Sequence, residues 1–197
     1  MTAAAYEIGA SAPAPARPFV DADPEGRIAI DAALDRYGPG ALRVAADAGV
    51  RIVLLRNNET FCEHSPALRA LTSSVDAWPV PPAGLFVLDE RTVYLRTTSP
   101  MTVTHEFGHA LDRAMGNATY LSNEDVRLRS AYRNAQGFVT PYAAAGRDEW
   151  FAECMRAWVG ANDVRSPWPL VSRARLRLVD PRMYEIMGSL FANELAA

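Results

Sequence analysis

Two of the three histidines in this chain stand four residues apart, in the segment His105-Glu106-Phe107-Gly108-His109. In an α-helix, residues i and i+4 lie one turn apart on the same side, so both imidazoles can reach one metal ion. Zn²⁺ binds imidazole nitrogens at about 2.0–2.1 Å and suits such a pair. Glu106, next to the first histidine, can then accept a proton from a water molecule at the metal. The segment therefore predicts a zinc site that activates water.

A catalytic zinc usually has three protein ligands, so one ligand remains to be found. Glu149 and Glu153 are the best source, because they stand at i and i+4 on one edge of a separate predicted helix. One carboxylate can bind zinc while the other accepts a proton from a ligand imidazole. His64, in a turn-like segment, is a weaker alternative. Asp112, three residues after His109, is better suited to hydrogen-bonding an imidazole than to binding the metal.

Both parts of this predicted site lie on helices. Val103, Phe107 and Leu111 repeat at helical spacing before Gly116-Asn117, which ends the helix, so the two histidines lie in its middle. The segment from residue 148 to 160 has a second apolar stripe and carries both glutamates. The site thus needs two helices that are separate in the sequence.

The remaining pattern predicts an α+β fold in which helices come first, then a small mixed sheet, then a mainly helical C-terminal half. Hydrophobic residues make up 49% of the chain and charged residues 22%, which is the usage of a globular protein and excludes a largely disordered one. Further helices are predicted over 28–37, 41–48, 122–135, 170–178 and 181–195, with a buried strand over 50–55 and a β-hairpin over 84–95.

With 197 residues, the chain is expected to hold a single domain over 27–197, preceded by a flexible Pro/Ala-rich lead-in over 1–26. The net charge of −3 argues against a nucleic-acid binder. No apolar run approaches about 18 residues, so we expect no membrane span. The N-terminus lacks the features of a Sec signal, and two cysteines are too few for a disulfide framework. The expected location is the cytoplasm, or outside the cell after export by a route without a Sec signal.

Two segments bear on how a substrate would bind. The second strand of the hairpin, Thr92–Leu95, lies just before the histidine helix, and an exposed edge there would pair with an extended peptide. An ordinary hairpin packed on the core is the alternative. The segment Trp78–Pro82 is either a proline-rich linker or a strand that lies across the cleft as an inhibitory or processed segment.

The sequence resembles a known family of zinc peptidases. HEFGHALD at 105–112, Thr-Pro-Tyr at 140–142 and EWFAE at 149–153 are similar to the catalytic domain of anthrax lethal factor and its bacterial relatives, including the Pro-Pro endopeptidases. The resemblance covers roughly residues 85–160 and implies a zincin-like fold. It also implies a role for each matching residue: His105, His109 and Glu149 as zinc ligands, Glu106 as general base, Tyr142 as hydrogen-bond donor to the tetrahedral intermediate, and Glu153 as support for a ligand histidine.

This resemblance implies a zinc-dependent endopeptidase of the gluzincin kind (HExxH plus a distant Glu), acting on a peptide or protein substrate. Two other readings stay open at this point. One is a narrow regulatory protease that cuts a single protein partner. The other is a zinc-binding effector or interaction module without turnover.

Overall fold

The computed structural model describes residues 17–196 and confirms an α+β fold with a small mixed sheet and a mainly helical C-terminal half. The four strands within this range are β1 (Phe19–Asp21), β2 (Arg51–Leu54), β3 (Gly84–Val87) and β4 (Thr92–Leu95). The helices within it are α1 (Pro24–Leu34), α2 (Pro39–Asp47), α3 (Phe61–His64), α4 (Pro66–Arg69), α5 (Pro100–Met115), α6 (Leu121–Glu124), α7 (Val126–Arg133), α8 (Arg147–Val159), α9 (Arg173–Val179) and α10 (Pro181–Asn193).

The strands form one sheet in the order β1-β2-β4-β3. The first three strands of that order run parallel, and β3 is antiparallel to β4 with Gly84 opposite Leu95. The predicted hairpin over 84–95 is therefore confirmed. Of the two alternatives for Thr92–Leu95, the ordinary hairpin packed on the core is confirmed and the exposed edge is wrong, because β4 lies between β2 and β3 and all its residues are buried. The edge on that side of the sheet is β3.

The start of the fold differs from the predicted lead-in over 1–26. Residues 1–16 of that segment lie outside the described residues, but its last part contains β1 and the first turn of α1. A three-residue strand is too short to show periodicity in a sequence, and this one is held by pairing with β2. The helix predicted over 122–135 is also divided, because Asp125 has an extended backbone and caps α7 through the Arg127 amide.

Helix α5 lies at the centre of the molecule and carries the two histidines. It contacts β3 and β4 on one side and α8 on the other. Its apolar stripe, including Val103, Phe107 and Leu111, is almost fully buried in the main core. The Tyr37 hydroxyl donates a buried hydrogen bond of 2.7 Å to the Thr104 carbonyl one residue before the first histidine. These contacts fix the helix that positions the predicted site.

Gly108, inside the HExxH segment, allows α5 and α8 to approach closely. A Cβ at this position would lie 3.0 Å from the Ala152 Cα and 3.3 Å from its Cβ. Ala152 stands between the two glutamates of α8, so the short distance at this point brings their carboxylates to the histidines. The glycine is thus required by packing between the two helices.

We expect Gly108→Ala to lower the free energy of unfolding by about 1–3 kcal/mol, because the added methyl pushes on backbone of the neighbouring helix. Gly188 is the matched control. It also lies inside a helix, but its added Cβ would meet only the end of the Trp158 ring at 3.5 Å. Gly188→Ala should therefore stabilise by up to about 1 kcal/mol through helix propensity. Urea unfolding measures both, and equal effects of the two substitutions would contradict the packing argument.

Candidate metal centre

Three side-chain donor atoms converge between α5 and α8. The Nε2 atoms of His105 and His109 are 3.2 Å apart, and Glu149 Oε2 lies 3.0 Å from the first and 3.4 Å from the second. Both histidines are buried and the glutamate is partly buried. The structure therefore brings together the two histidines of one helix and one of the two candidate glutamates of the other.

This triangle has the dimensions of a tetrahedral zinc site. Ligands at about 2.0–2.1 Å from a tetrahedral metal are about 3.3–3.4 Å from one another, close to the three separations found here. Burial alone would lower the pKa of His105, but hydrogen bonds with Glu149 and Glu153 outweigh it and raise that pKa. A positive charge between these carboxylates and the two imidazoles would stabilise the arrangement. A divalent metal would supply that charge, so the donor set fits a zinc ion.

Glu153 holds the ring of His105 from behind. Its Oε1 lies 2.8 Å from His105 Nδ1, which leaves Nε2 to face the other donors. Arg156 binds both oxygens of this carboxylate, with Nε at 3.0 Å from Oε1 and Nη2 at 2.8 Å from Oε2. Burial would raise the pKa of Glu153, but His105 and Arg156 hold it at about 2. The side chain is therefore a carboxylate that orients one histidine through a hydrogen bond.

Glu106 lies on α5 in the wall of a cleft of about 430 Å³ that His105 also lines. Burial raises the pKa of its carboxyl, while the two histidines oppose this shift. Gly84, at the start of β3, faces this side chain, and a Cβ there would lie 2.8 Å from Glu106 Cγ. The edge strand thus leaves room for the carboxyl only because its first residue has no side chain.

Tyr142 reaches the same centre from a separate turn. It begins a 3-10 turn, Tyr142–Ala144, just before α8. Its hydroxyl donates a hydrogen bond of 3.0 Å to Glu149 Oε1, and its ring centre is 5.6 Å from that of His105. Burial, together with Glu149, raises the pKa of the phenol. The side chain is consequently a neutral hydrogen-bond donor beside the three converging donor atoms.

Two residues that the sequence analysis considered for the metal site have hydrogen-bond partners outside it. The Asp112 carboxylate accepts hydrogen bonds from the amide and hydroxyl of Ser122 at 2.7 and 2.6 Å, so it joins α5 to α6 instead of supporting an imidazole as expected. Among the described residues, nothing accepts a hydrogen bond from His109 Nδ1. His64 lies at the end of α3, where Nε2 is 3.1 Å from Glu59 Oε2. Neither Asp112 nor His64 belongs to the converging donor set.

The cleft beside these groups has mostly apolar walls. The side chains around it that carry no charge include two half-exposed tryptophans, Trp78 and Trp168, together with Val80, Pro81, Pro82, Ala83 and Met101. Trp168 also packs edge-on against Tyr142, with ring centres 5.9 Å apart. The segment Trp78–Pro82 forms one wall of the cleft. The sequence had left open whether this segment is a linker or a strand that lies across the cleft.

Asp76 anchors this wall. It lies two residues before Trp78 and accepts hydrogen bonds from the amides of Phe61 at 2.9 Å and Cys62 at 3.0 Å, and it pairs with Arg96. Burial would raise the pKa of Asp76, but the amide and Arg96 hydrogen bonds hold it at about 2. The carboxylate ties the wall to α3 and to the end of β4.

We expect Asp76→Asn to lower the free energy of unfolding at neutral pH by about 1–3 kcal/mol. Because the folded pKa of about 2 is below the usual value of 3.8, the contribution of this carboxylate is complete above pH 4 and disappears as the pH falls towards 2. The difference in unfolding free energy between the original protein and the variant, measured by urea unfolding at several pH values, should shrink over that range. A difference that stays constant with pH would exclude this role of the charge.

Several residues around the centre had no signal in the sequence. Arg156 and Trp168 stand on elements whose relative positions only the tertiary structure defines, whereas Thr140 belongs to the Thr-Pro-Tyr segment of the resemblance but had no role assigned to it. Gly84 could have been suspected as a site of close approach, because glycine weakens a strand interior without such a reason. The others lack any local pattern that separates them from ordinary core or loop residues.

Among solved structures, this fold is similar to that of the Pro-Pro endopeptidase PPEP-2 from Paenibacillus alvei, with a TM-score of 0.60. The similarity covers 87% of this chain and 94% of that one, and the two sequences are 20% identical, so it shows a shared fold. No protein-family model and no curated protein matches the sequence. Between residues 17 and 196, every helix is too short or too polar to cross a membrane.

Proposed function

We propose that this protein is a zinc-dependent endopeptidase that hydrolyses peptide bonds in peptides or proteins. The observation that carries the proposal is the convergence of His105, His109 and Glu149 beside a cleft that His105, Glu106 and Tyr142 line. The fold shared with a Pro-Pro endopeptidase supports it. A donor set for metal, a carboxyl group and a phenol are the groups that metal-assisted hydrolysis of an amide requires.

The three converging residues would hold the zinc ion through two imidazole nitrogens and one carboxylate oxygen, which leaves a position open, as in other catalytic zinc sites. When bound, zinc would lower the pKa of a water molecule to about 7 and polarise a carbonyl group. Glu153 and Arg156 keep the His105 ring in the orientation that presents Nε2.

Glu106 performs the proton transfers. Its carboxylate accepts a proton from the water whose oxygen attacks the peptide carbonyl carbon, and a new C–O bond forms. The same group then gives the proton to the nitrogen as the C–N bond breaks, so the amine leaves in a stable form. One buried carboxyl thus acts as base and then as acid, and no other proton donor is required in the cleft.

Tyr142 stabilises the negative charge that develops on the carbonyl oxygen during the attack. Its hydroxyl, which is neutral and now donates to Glu149, is free to donate to an oxyanion in the cleft instead. The Tyr142 hydroxyl would thus donate one hydrogen bond in either state, to the Glu149 carboxylate or to the oxyanion. Removing one such donor typically costs about 10²–10³ in kcat.

The cleft favours an extended peptide with apolar residues next to the bond that is cut. The walls formed by Trp78, Trp168 and Met101 would bury apolar side chains, and β3, the edge strand of the sheet, lies beside Glu106, where an extended peptide would pair with its backbone. Because the structural neighbour is named for Pro-Pro bonds, peptides with two adjacent prolines form one arm of the test.

A proteome-derived peptide library tests the proposal. The protein loaded with zinc should cleave a subset of peptides, the cleavage should stop when a chelator removes the metal, and added zinc should restore it. Sequencing of the new termini identifies the bond, and a parallel set with and without Pro-Pro measures that preference. A protein that binds zinc but cleaves nothing would contradict the proposal and favour a metal-binding interaction module.

A further inference from the structure

The Glu153 carboxylate is a junction of four hydrogen bonds. Oε1 bonds to His105 Nδ1 and Arg156 Nε, and Oε2 accepts from Arg156 Nη2 and from the Thr140 hydroxyl at 2.7 Å. All four groups are buried, and Thr140 is only 1% exposed. Because Arg156 binds both oxygens, the orientation of this carboxylate is fixed. His105 and Thr140 are positioned by their hydrogen bonds to it.

Thr140 connects this junction to the turn that carries Tyr142. While its hydroxyl donates to Glu153, the same oxygen accepts a hydrogen bond of 3.2 Å from the amide of Ala143, the residue after Tyr142. A hydroxyl has one proton to donate and lone pairs to accept with, so both roles fit one orientation. The backbone on either side of Tyr142 is therefore tied to Glu153 through one side chain.

We infer that Thr140 is a positioning residue for the Tyr142 hydroxyl, an inference that rests on the proposed endopeptidase function. His105 and Tyr142 act on the same reacting group from different elements, α5 and the turn before α8. Both are held in position by Glu153, the histidine through a direct hydrogen bond and the tyrosine through Thr140. A displacement of about 1 Å between catalytic groups costs up to about 100-fold in rate. The common link of His105 and Tyr142 to Glu153 is therefore expected to affect the rate.

The Tyr132 hydroxyl provides a matched control. It also holds this turn, by donating a hydrogen bond of 3.1 Å to the Ala144 carbonyl, but it has no bond to Glu153. Tyr132→Phe thus weakens the far end of the turn without breaking the link to the metal centre. If any loosening of the turn were sufficient to disturb Tyr142, this substitution would act like a change at Thr140.

The test compares Thr140→Val, which keeps the shape but removes the hydroxyl, with Thr140→Ser, which restores it. Thr140→Val should lower kcat for a library-derived peptide by about tenfold, with KM and zinc affinity unchanged. Thr140→Ser and Tyr132→Phe should stay within about twofold of the original protein. In a Tyr142→Phe background, Thr140→Val should cause no further loss, because the group it positions is gone.

Amide hydrogen exchange at Ala143 gives a readout that does not depend on turnover. It should be faster in Thr140→Val than in Thr140→Ser, with and without zinc. The inference is overturned if Thr140→Val lowers kcat by the same factor in the Tyr142→Phe background as in the original protein. It is also overturned if Thr140→Val lowers activity by weakening zinc binding, or if the exchange rate of the Ala143 amide does not change. An original protein that cleaves no peptide overturns the proposed function and this role together, whereas an active original protein with an equally active Thr140→Val overturns this role alone.

Discussion

Replacing Glu106 by glutamine should lower kcat for peptide hydrolysis by about 10²–10⁴-fold, while the zinc content of the protein stays unchanged. The amide of glutamine cannot accept the proton of the attacking water, so the base is lost. The three converging donor atoms belong to other residues, and their separations of 3.0–3.4 Å do not involve Glu106. Cleavage assays and metal analysis on the same sample measure the two quantities.

The glutamine variant isolates the chemistry from the packing. Glutamine keeps the Cγ that faces Gly84, so the contact between α5 and the start of β3 is preserved. It also removes a buried ionisable group, so we expect a melting temperature equal to or above that of the original protein. Glu185→Gln, on the exposed side of α10, serves as the control for a glutamate-to-glutamine change and should keep full activity. A fully active Glu106→Gln would rule out Glu106 as the general base.

The part of the site that could be predicted from the sequence is the part determined by local helix geometry. The spacing of His105 and His109 is enough to place both imidazoles on one face, because α-helix geometry is the same everywhere. The same reasoning placed Glu149 and Glu153 on one edge of α8. It left open which carboxylate meets the histidines, since that depends on where α8 crosses α5.

That crossing is set by Gly108 against Ala152, a contact between residues more than forty positions apart. Prediction also failed where a residue has two suitable partners. Asp112 could bond to an imidazole one turn away or to a later segment, and it bonds to Ser122 because α6 folds back onto the end of α5. Whether Thr92–Leu95 is an exposed edge stayed open for a similar reason, since a hairpin does not show which of its strands joins the rest of the sheet.

A second large effect is expected at Glu149. Glu149→Ala should weaken zinc binding by at least about 10³-fold, because it removes a carboxylate oxygen that lies within 3.4 Å of both Nε2 atoms. Two histidines alone would then hold the ion. Competition with a chromophoric chelator measures the affinity, and peptide cleavage should fall with it at zinc concentrations that saturate the original protein.

A graded series separates the two glutamates, which helix spacing alone could not rank and to which the family resemblance gave different roles. Glu153→Gln leaves all three donor atoms in place but weakens the support of the His105 ring and the buried pairing with Arg156, so it should weaken zinc binding by about 10–100-fold. His64→Ala, remote from the centre and paired with Glu59, should leave the affinity unchanged. The order of loss is therefore Glu149, then Glu153, then His64. If Glu153→Gln lost the metal while Glu149→Ala kept it, the ligand and the supporting carboxylate would have to be exchanged, and the role of Tyr142, which now bonds to Glu149, would have to be reassigned with them.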